Sequence, residues 1–364
     1  MANTTVPAEL INTATPLGRR NILINGDYGI YQRAQQVTGI GASSGYFTAD
    51  RWHIDTGDSA GRLTATAGTE AAPAESNVTT SLKLDCTTAD TSIAATEYLI
   101  LNQKIEGQNV QHIKKGTSGA KQLTASFWVK SETTSHTFVV ELYDVDNTRH
   151  VAKTFAVTSS WSKIELTFPA DTTGAFGNDA NNSLVMNIWL HAGSNYTSGT
   201  LASTWASVTA ANRAAGINSF YSSTSNELYI TAVQLEVGDV ATEFEILSIG
   251  EKDALCKRYY EVKGKSGVAY ERFGVGWTTS NSGSFAVFYE VEKRGIPSVS
   301  ISDVGHFNVY TTNGVTTGTG YAVTDVATNS YNQNITGISS TAGFGALLIR
   351  DASDAARIKI DAEL

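Results

Sequence analysis

From Asn21 to about Leu247 the apolar residues fall at every second position in one run after another. In QLTASFWVKS, Leu123, Ala125, Phe127 and Val129 share one side, while Thr124, Ser126, Trp128 and Lys130 share the other. SKIELTFP repeats the rule with Ile164, Leu166 and Phe168, and NSLVMNIWLHAG with Leu184, Met186, Ile188 and Leu190. NELYITAVQLEVG places Tyr229, Thr231, Val233, Leu235 and Val237 together. A period of two belongs to strands that bury one face. Clusters such as DTTGAFGNDANNS supply the turns between them. The pattern predicts an antiparallel sandwich over residues 21–247.

The period then changes. SIGEKDALCKRYYEVKG has Ser248 as an N-cap with Glu251 three residues on, the capping-box spacing. Leu255, Tyr259 and Val262 follow at intervals of four and three, one apolar stripe that ends at Gly264. This predicts a helical neck over residues 248–263, lying against a domain or meeting its copies around a symmetry axis. Residues 264–364 return to strands: Phe285, Val287, Tyr289 and Val291 alternate, and Val299 and Ile301 follow. HFNVYTTNG, GYAVTDVA, AGFGALLIRD and ARIKIDAEL complete a second β unit. Residues 1–20 show no sustained periodicity. They read as a loose terminus or as a peptide that orders by docking on a partner.

Composition agrees with many strands and tight turns: 32 Gly against 5 Pro, with only 17% charged residues. The net charge of −9, with no basic stripe, argues against a nucleic-acid partner and an electrostatic membrane contact. Two cysteines, Cys86 and Cys256, make no disulfide framework. No run approaches the length of a membrane span, and the N-terminus lacks a signal-peptide pattern, so folding in a cytoplasm is expected.

Candidate chemistry mostly fails on context. GASSG at 41–45 has the form of a nucleophile elbow, but YFTADRW after it is not helical. TGDSAG lacks a partner Asp-x-x-His near the chain end. DVDNTRH starts like a calcium loop without its glycine or final Glu. The six histidines, His53, His112, His136, His150, His191 and His306, show no metal-ligand spacing. A glycosidase needs only two carboxylates, and 35 acidic residues make that search uninformative.

Taken in order, NILINGDYGIYQRA, TADRW, QKIEG, ASFWVKS, SSWSKIELTFP, ITAVQLEVGDVATEFEI, EKDALCKRYYE and the terminal DAEL form a set. It resembles structural proteins of bacteriophages, marine ones especially, described as tail-fibre or receptor-binding proteins. The resemblance spans nearly the whole chain from residue 20. It implies an all-β protein: a jelly roll similar to carbohydrate-binding modules, a short helical neck (Leu255, Tyr259, Val262) and a C-terminal β-sandwich tip, assembled as a homotrimer. It implies a virion protein, made in the host cytoplasm, and the failed chemical motifs above add the expectation of no enzymatic activity. The best-known tail fibres carry a large N-terminal adaptor where about twenty residues precede the jelly roll here, so residues 1–20 are expected to attach to other virion proteins on the tail, the head or another fibre. In jelly rolls of this type the first strand, here ILINGDY, pairs with the last, YITAVQLEV. Gln32, Arg33, Asp50 and Arg51 then read as a polar cluster bracing the loop to Trp52. Related modules also hold a structural Ca²⁺ near this end, for which Asp27 or Glu236 would supply oxygens; no other cofactor or metal is expected.

Binding is the expected role, because sugar rings stack their C–H faces on aromatics while Asn, Asp and Thr satisfy hydroxyls. Two places offer that mixture. Trp189 and His191 fall opposite Met186, Ile188 and Leu190, beside Tyr196; coverage by a neighbouring strand or subunit is the alternative for Trp189. In the tip, Asp303, His306, Asn308, Tyr310 and Asn313 cluster in SDVGHFNVYTTNG. A host-surface glycan or protein is the expected ligand. The alternatives are a capsid or tail decoration protein that binds other virion components, and a polysaccharide-degrading enzyme.

Overall fold

A computed structural model describes residues 19–132, 135–264, 268–351 and 355–364. The attachment peptide expected at residues 1–20 therefore lies outside the described residues, except for Arg19 and Arg20. The chain is all-β and divides into a unit ending at Ser248 and a second unit, Ile249–Glu363. Among the described residues no helix is long and apolar enough to cross a membrane.

The first unit contains β1 (Gln36–Ile40), β2 (His53–Gly57), β3 (Arg62–Thr69), β4 (Ser81–Thr88), β5 (Tyr98–Glu106) and β6 (Leu123–Ser131). It continues with β7 (His136–Asp144), β8 (Arg149–Val157), β9 (Ser162–Phe168), β10 (Asn182–Ala192), the short helix α1 (Ser194–Thr197), β11 (Ala206–Ser207) and β12 (Glu227–Val237). Two antiparallel sheets result, in the orders β1-β3-β4-β12-β6-β9 and β11-β8-β7-β10-β5-β2. Their facing sides make one core, in which Leu123, Ala125, Phe127 and Val129 meet the sheet that carries Leu184, Met186, Ile188 and Leu190. The period-two runs thus bury the faces they mark.

Two departures have a local cause. β12 shifts register between Thr231 and Gln234, where Ala232 takes a left-handed φ of 52°. Leu228 and Ile230 face the core before this bulge, and Val233, Leu235 and Val237 after it. Tyr229 and Thr231 are therefore not on the face of Val233, because one extra residue inverts the alternation. Likewise ILINGDY is not a strand; the first strand is β1. Residues 22–28 run through turns, with Asn25 and Tyr28 in left-handed backbone, yet still meet β12 through Ile22 N–H to Leu235 O (2.8 Å) and Val233 N–H to Gly26 O (2.9 Å).

Beside that segment, buried Asp50 accepts from the Gln32 amide (2.9 Å) and its Nε2 (2.6 Å), and lies 3.9 Å from Arg33. Arg51 donates to Lys104 O (2.6 Å). Trp52 donates from Nε1 to Asn25 O (2.9 Å) and packs on Tyr28 at 4.9 Å. The polar residues around the opening motif hold scaffold. Glu236 is engaged as well, accepting from Gln234 and from the amide and hydroxyl of Thr242, each at 2.8 Å. With its oxygens taken by protein donors, Glu236 offers little to a calcium ion.

The second unit opens with α2 (Ile249–Lys257) and contains β13 (Tyr260–Lys263), β14 (Arg272–Thr278), β15 (Ser282–Phe288), β16 (Ser298–Ile301) and β17 (Phe307–Thr311). β18 (Gly314–Thr317), β19 (Gly320–Thr324), β20 (Ser330–Thr336), β21 (Gly345–Arg350) and β22 (Ile358–Asp361) complete it. A three-stranded sheet, β13-β22-β16, and a seven-stranded one, β18-β17-β21-β14-β15-β20-β19, enclose Phe273, Phe285, Val287, Phe307, Val309, Leu348, Ile358 and Ile360. The expected helical neck is shorter than its apolar stripe suggests. Helix α2 stops at Lys257, and Val262 lies on β13, paired with Lys359 of β22. Tyr259 is buried within the chain itself, so it and Val262 are unavailable as a helical trimer seam; Leu255 alone of the three is on the helix and half-buried.

Candidate ligand-binding face

The tip residues named from sequence do not form one cluster. Asp303 caps a short turn by accepting from Gly305 N–H (2.7 Å), and His306 lies 3.2 Å from the Ser302 hydroxyl. Asn308 is buried and accepts from Thr317 (2.7 Å), while Asn313 in the hairpin donates to Thr341 (3.1 Å). Tyr310 reaches a concave surface. It lines a cleft of about 360 Å³ with Tyr270, Arg272, Val315, Leu347 and Ile349.

Register explains the company it keeps. Tyr310 pairs with Val315 and Leu347, Leu347 with Val275, and Val275 with Ala286. Directly opposed residues share a face, so this row runs across the outer side of the seven-stranded sheet. Trp277 lies on the same side, two residues along β14, and is 55% exposed. The next strands add Ser284, Asn332, Asn334 and Thr324, joined by hydrogen bonds such as Ser284 Oγ to Asn332 Oδ1 (2.9 Å) and Asn334 Nδ2 to Thr324 Oγ1 (3.2 Å). An exposed apolar and aromatic patch thus borders a row of amides and hydroxyls.

The sequence holds a signal for this face in RFGVGWT. Gly274 and Gly276 occupy the opposite parity, where a Cβ would meet Ala286 O at 2.6 Å and Ser284 O at 1.8 Å. Close backbone approach keeps that side of β14 bare, and Val275 and Trp277 put their bulk on the other. Alternating glycines are weak evidence in a chain so rich in them, which is why the tip loops look more promising than this strand.

The first unit's candidate has a different fate. Trp189 is on the outer side of its sheet, but it is 1% exposed. Residues after β10 fold back over it: Ala214, Tyr196, Leu201 and Ile217 join Ile100, Val139 and Ala152 in a second small core. Tyr196 packs at 5.3 Å from Trp189, and the Arg213 guanidinium lies 4.8 Å above its ring. Beneath, Glu141 accepts from Trp189 Nε1 (2.9 Å), Asn187 (2.9 Å) and Arg213 (2.8 and 2.9 Å), and bonds His150 (2.8 Å). Burial pulls the Glu141 carboxyl upward, but the His150 bond and the Arg213 charge prevail and hold it at about 2. Trp189 is therefore core, with no ring face left for a ligand.

His191 leaves its neighbour altogether. β10 shifts register between Trp189 and His191, so His191 pairs with Leu99, a core residue, rather than following Trp189 outward. Its ring is fully buried, with Nδ1 2.7 Å from Ser219 Oγ and Nε2 3.4 Å from Glu97 Oε2. The expectation that Trp189, His191 and Tyr196 present one sugar-stacking surface is corrected by one bulge and one covering segment.

The fold thus defines an all-β chain of two sandwich units, the second with an open aromatic sheet face. No family model matches the chain, and no curated protein resembles it in sequence. Solved structures with related strand arrangements include the enzymatically active domain of tailspike protein 4 of bacteriophage CBA120 (12% identity, TM-score 0.30), matching 60% of this chain. That match spans only 21% of the tailspike chain. A family 4 carbohydrate-binding module matches 59% of this chain and 98% of its own, at 12% identity and TM-score 0.30. A tandem pair of family 22 modules from Paenibacillus barcinonensis Xyn10C matches 95% of this chain and 97% of its own, at 10% identity and TM-score 0.29. Likeness at this level carries nothing about ligand or activity.

Proposed function

We propose that the chain is a non-enzymatic phage virion fibre protein that binds a host-surface glycan through the outer face of its seven-stranded sheet. One observation carries the reading: Trp277 and Tyr310 stand exposed on that face, beside the Tyr270–Arg272 cleft and the Ser284–Asn332–Asn334 row. Aromatic rings take the C–H face of a pyranose, and adjacent amides and hydroxyls take its oxygens. Single sugar contacts are weak, so a homotrimer would raise avidity without new chemistry. The phage assignment rests on the ordered motif set, and attachment through residues 1–20 on the lack of periodicity there, as in a peptide that orders by docking on a partner.

The test is binding of the full-length protein to immobilised host-surface polysaccharide. Trp277→Ala and Tyr310→Ala should each abolish retention while leaving the melting temperature close to wild type. Retention unchanged in both variants would sink the reading. Light scattering should give three chains per particle, and a stable monomer would remove the trimer. Release of reducing ends from the polysaccharide would overturn the non-enzymatic assignment. A second reading, a virion component binding other virion proteins, draws on Val275 and Phe288, exposed at 57% and 61% on the same face. It predicts retention by virion proteins and none by polysaccharide.

A further inference from the structure

Asp90, Glu97 and His191 come from three separate segments of the first unit and meet inside it. Asp90 follows β4, Glu97 precedes β5, and His191 sits at the bulged end of β10. All three are buried, and one ligand-capable atom from each lies within 4.8 Å of the others. The group joins the two sheets, since β4 belongs to one and β5 and β10 to the other.

Two of these atoms are aimed at each other with nothing to satisfy them. His191 Nε2 and Glu97 Oε2 are both buried without a hydrogen-bond partner, 3.4 Å apart, on side chains 0% and 6% exposed. Asp90 adds a second carboxylate, and neither acid has a lysine or arginine partner among the described residues. Buried carboxylates without a counter-charge are costly, and natural folds pair them or give them a metal. The surroundings hold each group in a ligating pose. Ser219 Oγ, fixed in turn by Tyr221 N–H (3.1 Å), engages His191 Nδ1 and leaves Nε2 directed at the acids. Asp90 Oδ2 accepts from Ala60 N–H (2.8 Å) and Ser59 (3.1 Å), while Oδ1 takes only a long bond from Ser92 (3.3 Å).

We propose that Asp90, Glu97 and His191 bind one divalent transition-metal ion, Zn²⁺ by their donor set, as a clasp between the sheets of the first unit. Bonds of about 2.0–2.2 Å in a tetrahedron place neighbouring ligand atoms roughly 3.4 Å apart. The Glu97–His191 separation of 3.4 Å already meets that spacing. One imidazole and two carboxylates, with a fourth position for water, suit zinc; Ca²⁺ asks for six to eight oxygens. The linear sequence conceals the site because the ligands span a hundred residues and share no short motif.

The test uses the full-length protein, stripped with a chelator and titrated with zinc chloride by calorimetry, and with cobalt chloride by visible absorption. One Zn²⁺ per chain, a rise in melting temperature and the absorption of tetrahedral Co²⁺ are expected, with no response to calcium. Losing an outer-shell partner weakens metal sites by about 10–100-fold, so Glu97→Gln and His191→Gln should each exceed that. His112→Ala, a change on an exposed histidine elsewhere in the unit, should leave affinity unchanged. Should His191→Gln fail to fold, Glu97→Gln decides alone. No uptake by the stripped protein, or uptake undiminished in Glu97→Gln, would overturn the proposal. A calcium response alone would overturn the choice of ion.

Discussion

Trp189 and Trp277 each sit on the outer side of a β-sheet, at positions where the alternation of the strand turns them away from the core. The first is 1% exposed and the second 55%. What separates them is the chain that follows the strand. After β10, residues 193–217 return across the sheet, place Tyr196 and Arg213 against the indole, and bury Glu141 with its bonds satisfied. After β14 the chain makes a tight turn, with Thr279 N–H bonded to Ser282 O (2.7 Å), and enters β15, leaving the face open. An outward tryptophan thus marks an apolar sheet face, and the connection decides whether that face becomes core or surface.

The contrast can be broken most severely at Trp189. Trp189→Ala removes a buried ring that Tyr196, Arg213 and Glu141 all use, and should cost about 3–5 kcal/mol in urea unfolding. Arg213→Ala should cost less, about 1.5–3 kcal/mol, because Glu141 keeps its bonds to His150, Asn187 and Trp189. A loss for Arg213→Ala below that of an ordinary surface substitution would show that the cover is held by packing alone. Acid titration sharpens the point. Glu141 is depressed from its ordinary 4.5 to about 2, so its contribution is full above pH 4.5 and is lost as the pH falls toward 2. Unfolding midpoints of the wild type should therefore drop across that window, whereas Glu141→Gln, less stable at neutral pH, should drop less. Parallel curves would remove Glu141 as the source.

The smallest effect on stability belongs to Trp277. Trp277→Ala should change stability by no more than about 0.5–1 kcal/mol, while glycan retention is lost. Iodide should quench the wild-type fluorescence more than that of Trp277→Phe, and Trp189→Phe should leave the quenchable fraction intact. Equal quenching losses in the two variants would mean the two faces are covered alike.

Much of the architecture is legible in the chain because strand alternation is a local steric property. Leu123 through Val129 and Leu184 through Leu190 declare their buried faces without reference to any partner. The capping-box spacing at Ser248 likewise points to where α2 begins, at Ile249, although the stripe through Tyr259 and Val262 overstates the helix, since β22 recruits Tyr260–Lys263 as a strand. The bulge at Ala232 and the register shift before His191 are not legible, because a bulge exists only relative to the strand beside it. Those bulges moved Tyr229 from its expected face and carried His191 from Trp189 to Asp90 and Glu97.

The sequence by itself determined the all-β class, the turns and the parity of most strands, through forces that act within a few residues. Only the tertiary structure decided which outward faces are covered, which tryptophan is free and which distant acids share a histidine. Those outcomes depend on where segments far apart in the chain return in space, and no spacing along the chain encodes that.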